Sequence, residues 1–100
     1  MDRREQIRDF ILLLQKNDRE IQPYYDLLGD LSIYDTIYET EIYIAKLLHI
    51  NVEGDWSDFD IIDEYAYCGY INWNGERIED IERFLDLYLQ WEAADEEKSV

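Results

Sequence analysis

The sequence is poor in the residues on which many enzymes and metal sites depend. Among its 100 residues are one cysteine, Cys68, and one histidine, His49. One cysteine cannot form an intramolecular disulfide, and the two residues together cannot complete a tetrahedral zinc site. No serine or cysteine has the local context of a catalytic nucleophile. We therefore expect a non-enzymatic protein without a metal or cofactor, in a reducing compartment such as the cytoplasm.

Glycine, proline and long apolar runs are also scarce. The chain has four glycines and one proline, and it contains no GxxxxGK[ST] or GxGxxG motif for cradling phosphates. The apolar run from Phe10 to Leu14 is far shorter than the roughly 20 residues of a membrane span. These absences give no support to nucleotide use, and they predict a protein that does not enter a membrane.

Basic residues are scarce relative to acidic residues. Nine Lys and Arg face 25 Asp and Glu, a formal net charge of −16. Residues 1–19 are almost neutral, whereas residues 20–97 hold 21 acids against three basic residues. Such a surface repels nucleic acid and anionic lipid and attracts basic proteins. The charge predicts a basic protein partner, although acidity that serves only solubility is the alternative. Arg3, Arg4, Arg8 and Lys16 could form a small basic strip.

What the chain does contain is enough apolar surface to fold. Hydrophobic residues make up 47% of it and aromatic residues 15%, which argues against disorder. The length suits a single domain. We expect one globular domain over residues 1–94 and a frayed acidic tail over residues 95–100.

The N-terminal third predicts one long and one short helix. Asp2 can cap a helix whose apolar stripe comprises Ile7, Phe10, Ile11 and Leu14. This helix is expected to end near Asn17. Pro23 suits the first turn of a short second helix that runs through Tyr24, Leu27 and Leu28 and stops at Gly29.

The middle of the chain is ambiguous between helix and strand. Ser32 and Asp35 resemble a capping box, which predicts a third helix from Ile33 to about His49. Its core face would use Ile33, Ile37, Ile44 and Leu48. The β-branched residues and the local alternation around Ile42 to Ile44 favour a strand instead.

Clearer signals mark the second half. Ser57 and Asp60 predict a helix cap, and Gly69 a helix end, around a short stripe of Phe59, Ile62 and Ala66. Asn74 and Gly75 are a typical hairpin turn pair, which predicts a small β-hairpin near Tyr70–Ile78. The competing interpretation makes Asn74 the cap of the next helix.

The last helix has the strongest pattern. From Glu79 to about Ala94, one apolar stripe comprises Ile81, Phe84, Leu85, Tyr88 and Trp91. The predicted fold is therefore mainly α: a compact single domain of four to five helices, with the hairpin as a small addition.

The stretch from Asn51 to Asn74 mixes six acids with six aromatic rings and contains no Lys or Arg. Carboxylates three or four residues apart on a helix lie about 5–6 Å from each other, a spacing of the order of successive phosphates on a nucleic-acid strand. For the rings, a place in the core and a place at an interface are the two alternatives. The predicted partner-binding residues are Asp55, Asp58, Asp60, Asp63 and Glu64, then Glu79, Asp80 and Glu82, with the rings of Trp56 and Tyr67.

In size, acidity and lack of catalytic groups, the chain resembles a class of small antagonists encoded by phages and mobile elements, which includes anti-CRISPR proteins and other DNA mimics. The resemblance implies an inhibitor that occupies the nucleic-acid-binding surface of a basic partner, such as a nuclease or defence complex. Immunity proteins and antitoxins that neutralise a toxin nuclease are a second class it resembles. An oligomeric scaffold joined through its tyrosine-rich middle is the third hypothesis.

Overall fold

The computed structural model describes the backbone of residues 2–28 and 32–98, and the side chains of residues 2–21 and 35–94. The described chain is mainly helical, about 71%, which confirms the predicted fold class. Its elements are α1 (Arg3–Leu28), α2 (Ser32–Leu47), α3 (Asp58–Cys68), β1 (Ile71–Trp73), β2 (Glu76–Ile78) and α4 (Ile81–Lys98). None of the described helices is long and apolar enough to cross a membrane.

Helix α1 is longer than the sequence predicted. It runs without a break to Leu28 and includes Pro23, so the predicted end near Asn17 and the separate short helix are wrong. The apolar stripe continues after Leu14, because Ile21 lies seven residues further on and is buried. Packing of that turn outweighs the local preference of proline for a helix start. The predicted stop at Gly29 falls outside the described residues.

Helix α2 settles the ambiguity of the middle segment in favour of a helix, but its buried face was predicted only in part: the predicted residues Ile37, Ile44 and Leu48 are partly buried. Its most buried described positions are Glu41, 8% exposed, and Ala45, 0% exposed. Ile44 and Leu48 pack only at the edge of the core. The predicted core residue Ile33 lies outside the described side chains.

The end of α2 is built without glycine. His49 adopts a left-handed conformation with φ +58°. The Ile50 N–H donates to the Ala45 carbonyl at 2.9 Å, and the His49 N–H donates to the Lys46 carbonyl at 3.1 Å. This pattern is a Schellman motif, which satisfies carbonyls that a helix end leaves unpaired.

Helix α3 and the hairpin confirm their predictions. Asp60 accepts a hydrogen bond from the Ser57 backbone N–H at 2.8 Å, which together with the reciprocal bond forms the capping box. Gly69 ends the helix with φ +78°. Residues Ile71 and Trp73 pair with Ile78 and Glu76 across a turn at Asn74 and Gly75, so the competing role of Asn74 as a helix cap is wrong.

The core lies where α1, α3, the hairpin and α4 meet. Tyr65 stacks on Phe84 with ring centroids 4.2 Å apart, and the Tyr65 hydroxyl donates to the Glu79 carbonyl at 2.8 Å. Helix α4 supplies the buried Phe84, Leu85 and Tyr88, as predicted. It extends past the predicted end at Ala94; the side chains of the predicted tail, residues 95–100, lie outside the described part.

Candidate functional site

The five acids expected to lead partner binding occupy different environments. Asp55 is exposed in the turn before α3, and Glu64 is exposed on α3. Asp58 is buried, with 8% exposed, and Asp60 is the acid of the capping box. Asp63 is partly buried and lines a cavity. The five therefore do not form one continuous exposed surface.

The second predicted group already has partners within the chain. Glu79 pairs with Arg77 at 2.6 Å. The Asp80 carboxylate accepts a hydrogen bond from the Arg83 backbone N–H at 3.1 Å, which caps α4. The Glu82 carboxylate accepts hydrogen bonds from Arg4 and Arg8 of α1. Glu79 and Asp80 thus contact residues close to them in sequence, whereas Glu82 joins two helices; the sequence analysis assigned none of these roles.

Three of the four residues of the possible basic strip, Arg3, Arg4 and Arg8, instead form one side of the contact between α1 and α4; the fourth, Lys16, is exposed. Arg4 donates to Asp86 and to Glu82, both at 2.7 Å, and Arg8 donates to the other oxygen of Glu82 at 2.6 Å. These hydrogen bonds lower the pKa of Glu82. We call this set the ionic seam: Arg3, Arg4 and Arg8 of α1 with Glu82, Asp86 and Glu92 of α4.

Arg3 is the most enclosed cation of the ionic seam. Its guanidinium donates two hydrogen bonds to the Glu92 carboxylate, of 2.8 and 2.9 Å. It also donates to the carbonyl oxygens of Leu48 and His49 at the end of α2. Glu92 additionally accepts from the Tyr88 hydroxyl at 3.0 Å. One side chain of α1 therefore ties α4 to the end of α2.

On another side of α1, three acids meet without such a partner in the described part of the chain. Asp18 of α1, Glu41 of α2 and Asp63 of α3 line a cavity of about 180 Å³, together with the rings of Tyr38 and Tyr67. We call this cavity the carboxyl cleft. The predicted binding residues Asp63 and Tyr67 lie in it, and Tyr67 is 65% exposed.

The electrostatics of the carboxyl cleft are unusual. Burial raises the pKa of Glu41 to about 7; the hydrogen bond from the Asn17 amide, at 3.2 Å, opposes the rise, and the charges of Asp63 and Asp18 add to it. Burial also raises the pKa of Asp63 to about 6, with contributions from Asp18 and other nearby acids. Burial raises the pKa of Asp18 as well. Near neutral pH, part of the carboxyl groups of the cleft therefore remains protonated. A cation that entered the cleft could take the place of these protons.

Sequence reasoning missed Asp18 and Glu41. A signal for Glu41 was available, because it lies between Ile37 and Ala45 at four-residue spacing, on the side of α2 that faces the core. Among the described residues, no group of three or more His, Cys, Asp or Glu is arranged to hold a metal ion.

The predicted ring Trp56 lies in a different place. Trp56, Trp73 and Trp91 line a second cavity, of about 320 Å³, with Ile61 and Ile71 and with two asparagines, Asn72 and Asn74. Trp73 and Trp91 meet edge to face with centroids 6.3 Å apart, and Trp56 is 59% exposed. We call this cavity the tryptophan groove.

Comparisons of the chain with protein-family models, with curated proteins and with solved structures found no match. Its function is therefore inferred from its own residues and their geometry.

Proposed function

We propose that this chain is a non-enzymatic acidic inhibitor that binds the nucleic-acid-binding surface of a basic partner protein, in the manner of the DNA mimics of phages and mobile elements. The partner is a nuclease or a nucleic-acid-binding defence complex. The chain itself contacts neither nucleic acid nor membrane in this proposal, and it acts in the cytoplasm.

The observation that carries the proposal is the uneven distribution of cations after folding. Arg3, Arg4, Arg8, Arg77 and Arg83 each pair with an acid. Among the residues that the structure describes, no Lys or Arg lines the carboxyl cleft. A site that gathers carboxyl groups and leaves them without a cation is suited to a cation from outside.

A Lys or Arg side chain of the partner would find two kinds of interaction in the carboxyl cleft. The carboxylates of Glu41 and Asp63 would accept charge-assisted hydrogen bonds, which are shorter and stronger than neutral ones. The rings of Tyr38 and Tyr67 would add cation–π attraction, about 0.5–2 kcal/mol per contact. The net charge of −16 would speed the encounter and make it sensitive to salt.

The test compares two triple variants with the same change in net charge. In the first, which we call the cleft variant, Asp55, Asp63 and Glu64 are each changed to Lys. These changes alter the loop before α3 and the rim of the carboxyl cleft. In the second, the exposed acids Glu5, Asp9 and Glu20 of α1 are each changed to Lys. Tagged wild-type and variant proteins are used to capture proteins from nuclease-treated lysate of the host, at low and high salt.

We expect wild type and the α1 variant to capture a basic nucleic-acid-binding protein at low salt, and the cleft variant to lose it. The captured protein is then purified, and the loss of its nucleic-acid binding on addition of wild type is measured by fluorescence anisotropy. Equal weakening in both variants would show only general attraction between opposite charges. A captured protein that keeps its nucleic-acid binding in the presence of wild type would contradict the proposal.

An immunity protein or antitoxin would use the same electrostatics, and it is distinguished by the identity of the partner, which would then be a toxin nuclease. The oligomeric scaffold is favoured by one observation. Tyr43 and Leu47 lie one turn apart on α2 and are 63% and 61% exposed, and exposed rings of this kind are typical of interfaces. Light scattering that shows a monomer at high concentration would count against the scaffold.

A further inference from the structure

We propose that the tryptophan groove is a second docking site, which receives an apolar side chain flanked by Lys or Arg from the partner protein. The proposal rests on the proposed function only for the basic character of that partner. It assigns the apolar part of the contact to a place distinct from the carboxyl cleft.

The lining of the groove favours an apolar occupant. All three tryptophans of the chain line it, and tryptophan is among the residues that contribute most to binding energy at protein interfaces. Its volume of about 320 Å³ lies at the lower end of the roughly 300–1,000 Å³ of ligand pockets. The amide groups of Asn72 and Asn74 leave hydrogen-bonding capacity at the same wall.

The backbone of Trp56 supports a functional role for its ring. Trp56 has φ +57°, a left-handed conformation that is a genuine outlier for a bulky residue. Such conformations cluster at binding and catalytic sites, where the surrounding structure maintains them. The ring is 59% exposed, so its own burial in the free protein explains little of why a large side chain stands at this position.

The charges near the groove select a basic neighbour for the apolar side chain. No Lys or Arg of the described side chains lines the groove. Asp55 directly precedes Trp56 in an exposed turn, and its carboxylate makes no hydrogen bond or ion pair with the described residues. Glu76 lies opposite Trp73 in the hairpin register, but it pairs with Arg83 at 3.3 Å, so the attraction of a basic segment depends on Asp55 and on the net charge of −16. An acidic segment would be repelled here, and a basic one would be attracted.

The test uses the intrinsic fluorescence of the chain, because every tryptophan reports on the groove. The protein is titrated with three short peptides, which alternate Lys with Leu, Lys with Ser, and Glu with Leu. We expect a saturable blue shift with the Lys–Leu peptide, at least about tenfold weaker binding of the Lys–Ser peptide, and no shift with the Glu–Leu peptide. Equal responses to Lys–Leu and Lys–Ser, or to Lys–Leu and Glu–Leu, would overturn the proposal.

A variant then separates binding from folding. Trp56→Gly removes the ring and suits the left-handed backbone, so we expect an unfolding midpoint in urea that is unchanged or higher. We also expect at least about a thirtyfold loss of affinity for the Lys–Leu peptide by calorimetry, the size of an interface hot spot. The control is Leu12→Ala, an exposed apolar side chain on α1, which should leave the affinity unchanged. Retained affinity in Trp56→Gly would overturn the proposal.

Failure of the groove and failure of the proposed function give different results. A double variant in which Asp63 and Glu64 are changed to Lys, while Asp55 is kept, tests the carboxyl cleft alone. Its binding of the Lys–Ser peptide is measured. If that variant binds Lys–Ser as wild type does while Trp56→Gly loses the Lys–Leu peptide, the groove stands and the cleft does not.

Discussion

The ionic seam and the carboxyl cleft both contain Asp and Glu side chains, but these side chains have different partners in the two regions. In the ionic seam, each acid of α4 meets an arginine of α1 at 2.6–2.8 Å. In the carboxyl cleft, three acids from three helices meet one another and an asparagine amide. The ionic seam holds α1 against α4. The acids of the carboxyl cleft, by contrast, have no cationic partner in the described part of the chain.

The pKa values express this difference. Hydrogen bonds from Arg4 and Arg8 lower the pKa of Glu82, while burial raises the pKa of Glu41 to about 7. A lowered carboxyl pKa means that the folded state favours the charge, and a raised one means that it opposes the charge. Total acid content is thus a poor guide to binding, because only acids without an internal cation are free to receive one.

The largest effect is expected from removing the charge in the cleft. The folded protein holds the Glu41 proton up to about pH 7, whereas the unfolded chain releases it near its ordinary value of 4.5. The folded state therefore binds more protons in this window, and the free energy of unfolding falls as pH rises through it, by about 3 kcal/mol. Asp63 contributes a fall of the same sign between 3.8 and about 6.

Glu41→Gln should abolish most of this fall, because glutamine keeps an acceptor for the Asn17 amide without a charge. The expected result is a variant more stable than wild type by about 2–3 kcal/mol above pH 7, measured by urea denaturation at a series of pH values. Glu39→Gln, an exposed acid on the same helix, is the matched control and should follow wild type. A wild-type stability that stays constant from pH 5 to 8 would show that the cleft is not strained by its charges.

A smaller effect is expected from the most enclosed pair of the seam. Arg3 and Glu92 have side chains 29% and 15% exposed. Arg3→Met would leave Glu92 and two carbonyls at the end of α2 without their donor, at a cost of about 2 kcal/mol, less than for a fully buried pair. The same change at Arg83, whose pair with Glu76 is exposed, should cost far less. Equal midpoints for the two variants in urea would contradict this ranking.

The smallest effect belongs to the exposed part of the seam. Glu82→Gln removes an acid that Arg4 and Arg8 share, and it should lower the thermal midpoint slightly at low salt because surface pairs contribute little. The difference from wild type should vanish at high salt, which screens exposed charges. Glu20→Gln, an exposed acid of α1, should show no such difference at either salt. A large shift that persists in high salt would mean that this corner is better shielded from solvent than its exposure indicates.

Local signals in the sequence were sufficient where one short segment decides the structure. The α3 capping box, the glycine at its end, the hairpin turn at Asn74 and Gly75, and the stripe of α4 were all predicted correctly. Each depends on hydrogen bonds or backbone angles within a few residues. Predictions failed where distant packing decides: α1 continues past Pro23 because Ile21 is buried, and α2 buries Glu41 more deeply than Ile44.

The same division applies to the candidate site. Asp60 and Glu82 were assigned to partner binding, yet the fold uses Asp60 to cap α3 and Glu82 to hold α1 against α4. Asp18 and Glu41 were missed because they are distant in sequence from the acidic stretch. Only Asp63 and Tyr67, among the predicted residues, lie in the carboxyl cleft, and only Trp56 lies in the tryptophan groove.

The sequence by itself determined the mainly helical fold, the hairpin and the excess of negative charge, because periodicity, turn chemistry and composition are properties of the chain. Which acids are neutralised and which are left without a cation was decided only by the tertiary structure. A carboxyl group's partner is set by the packing of helices that are far apart in sequence: α4 brings its acids to the arginines of α1, and α2 and α3 bring theirs to one another.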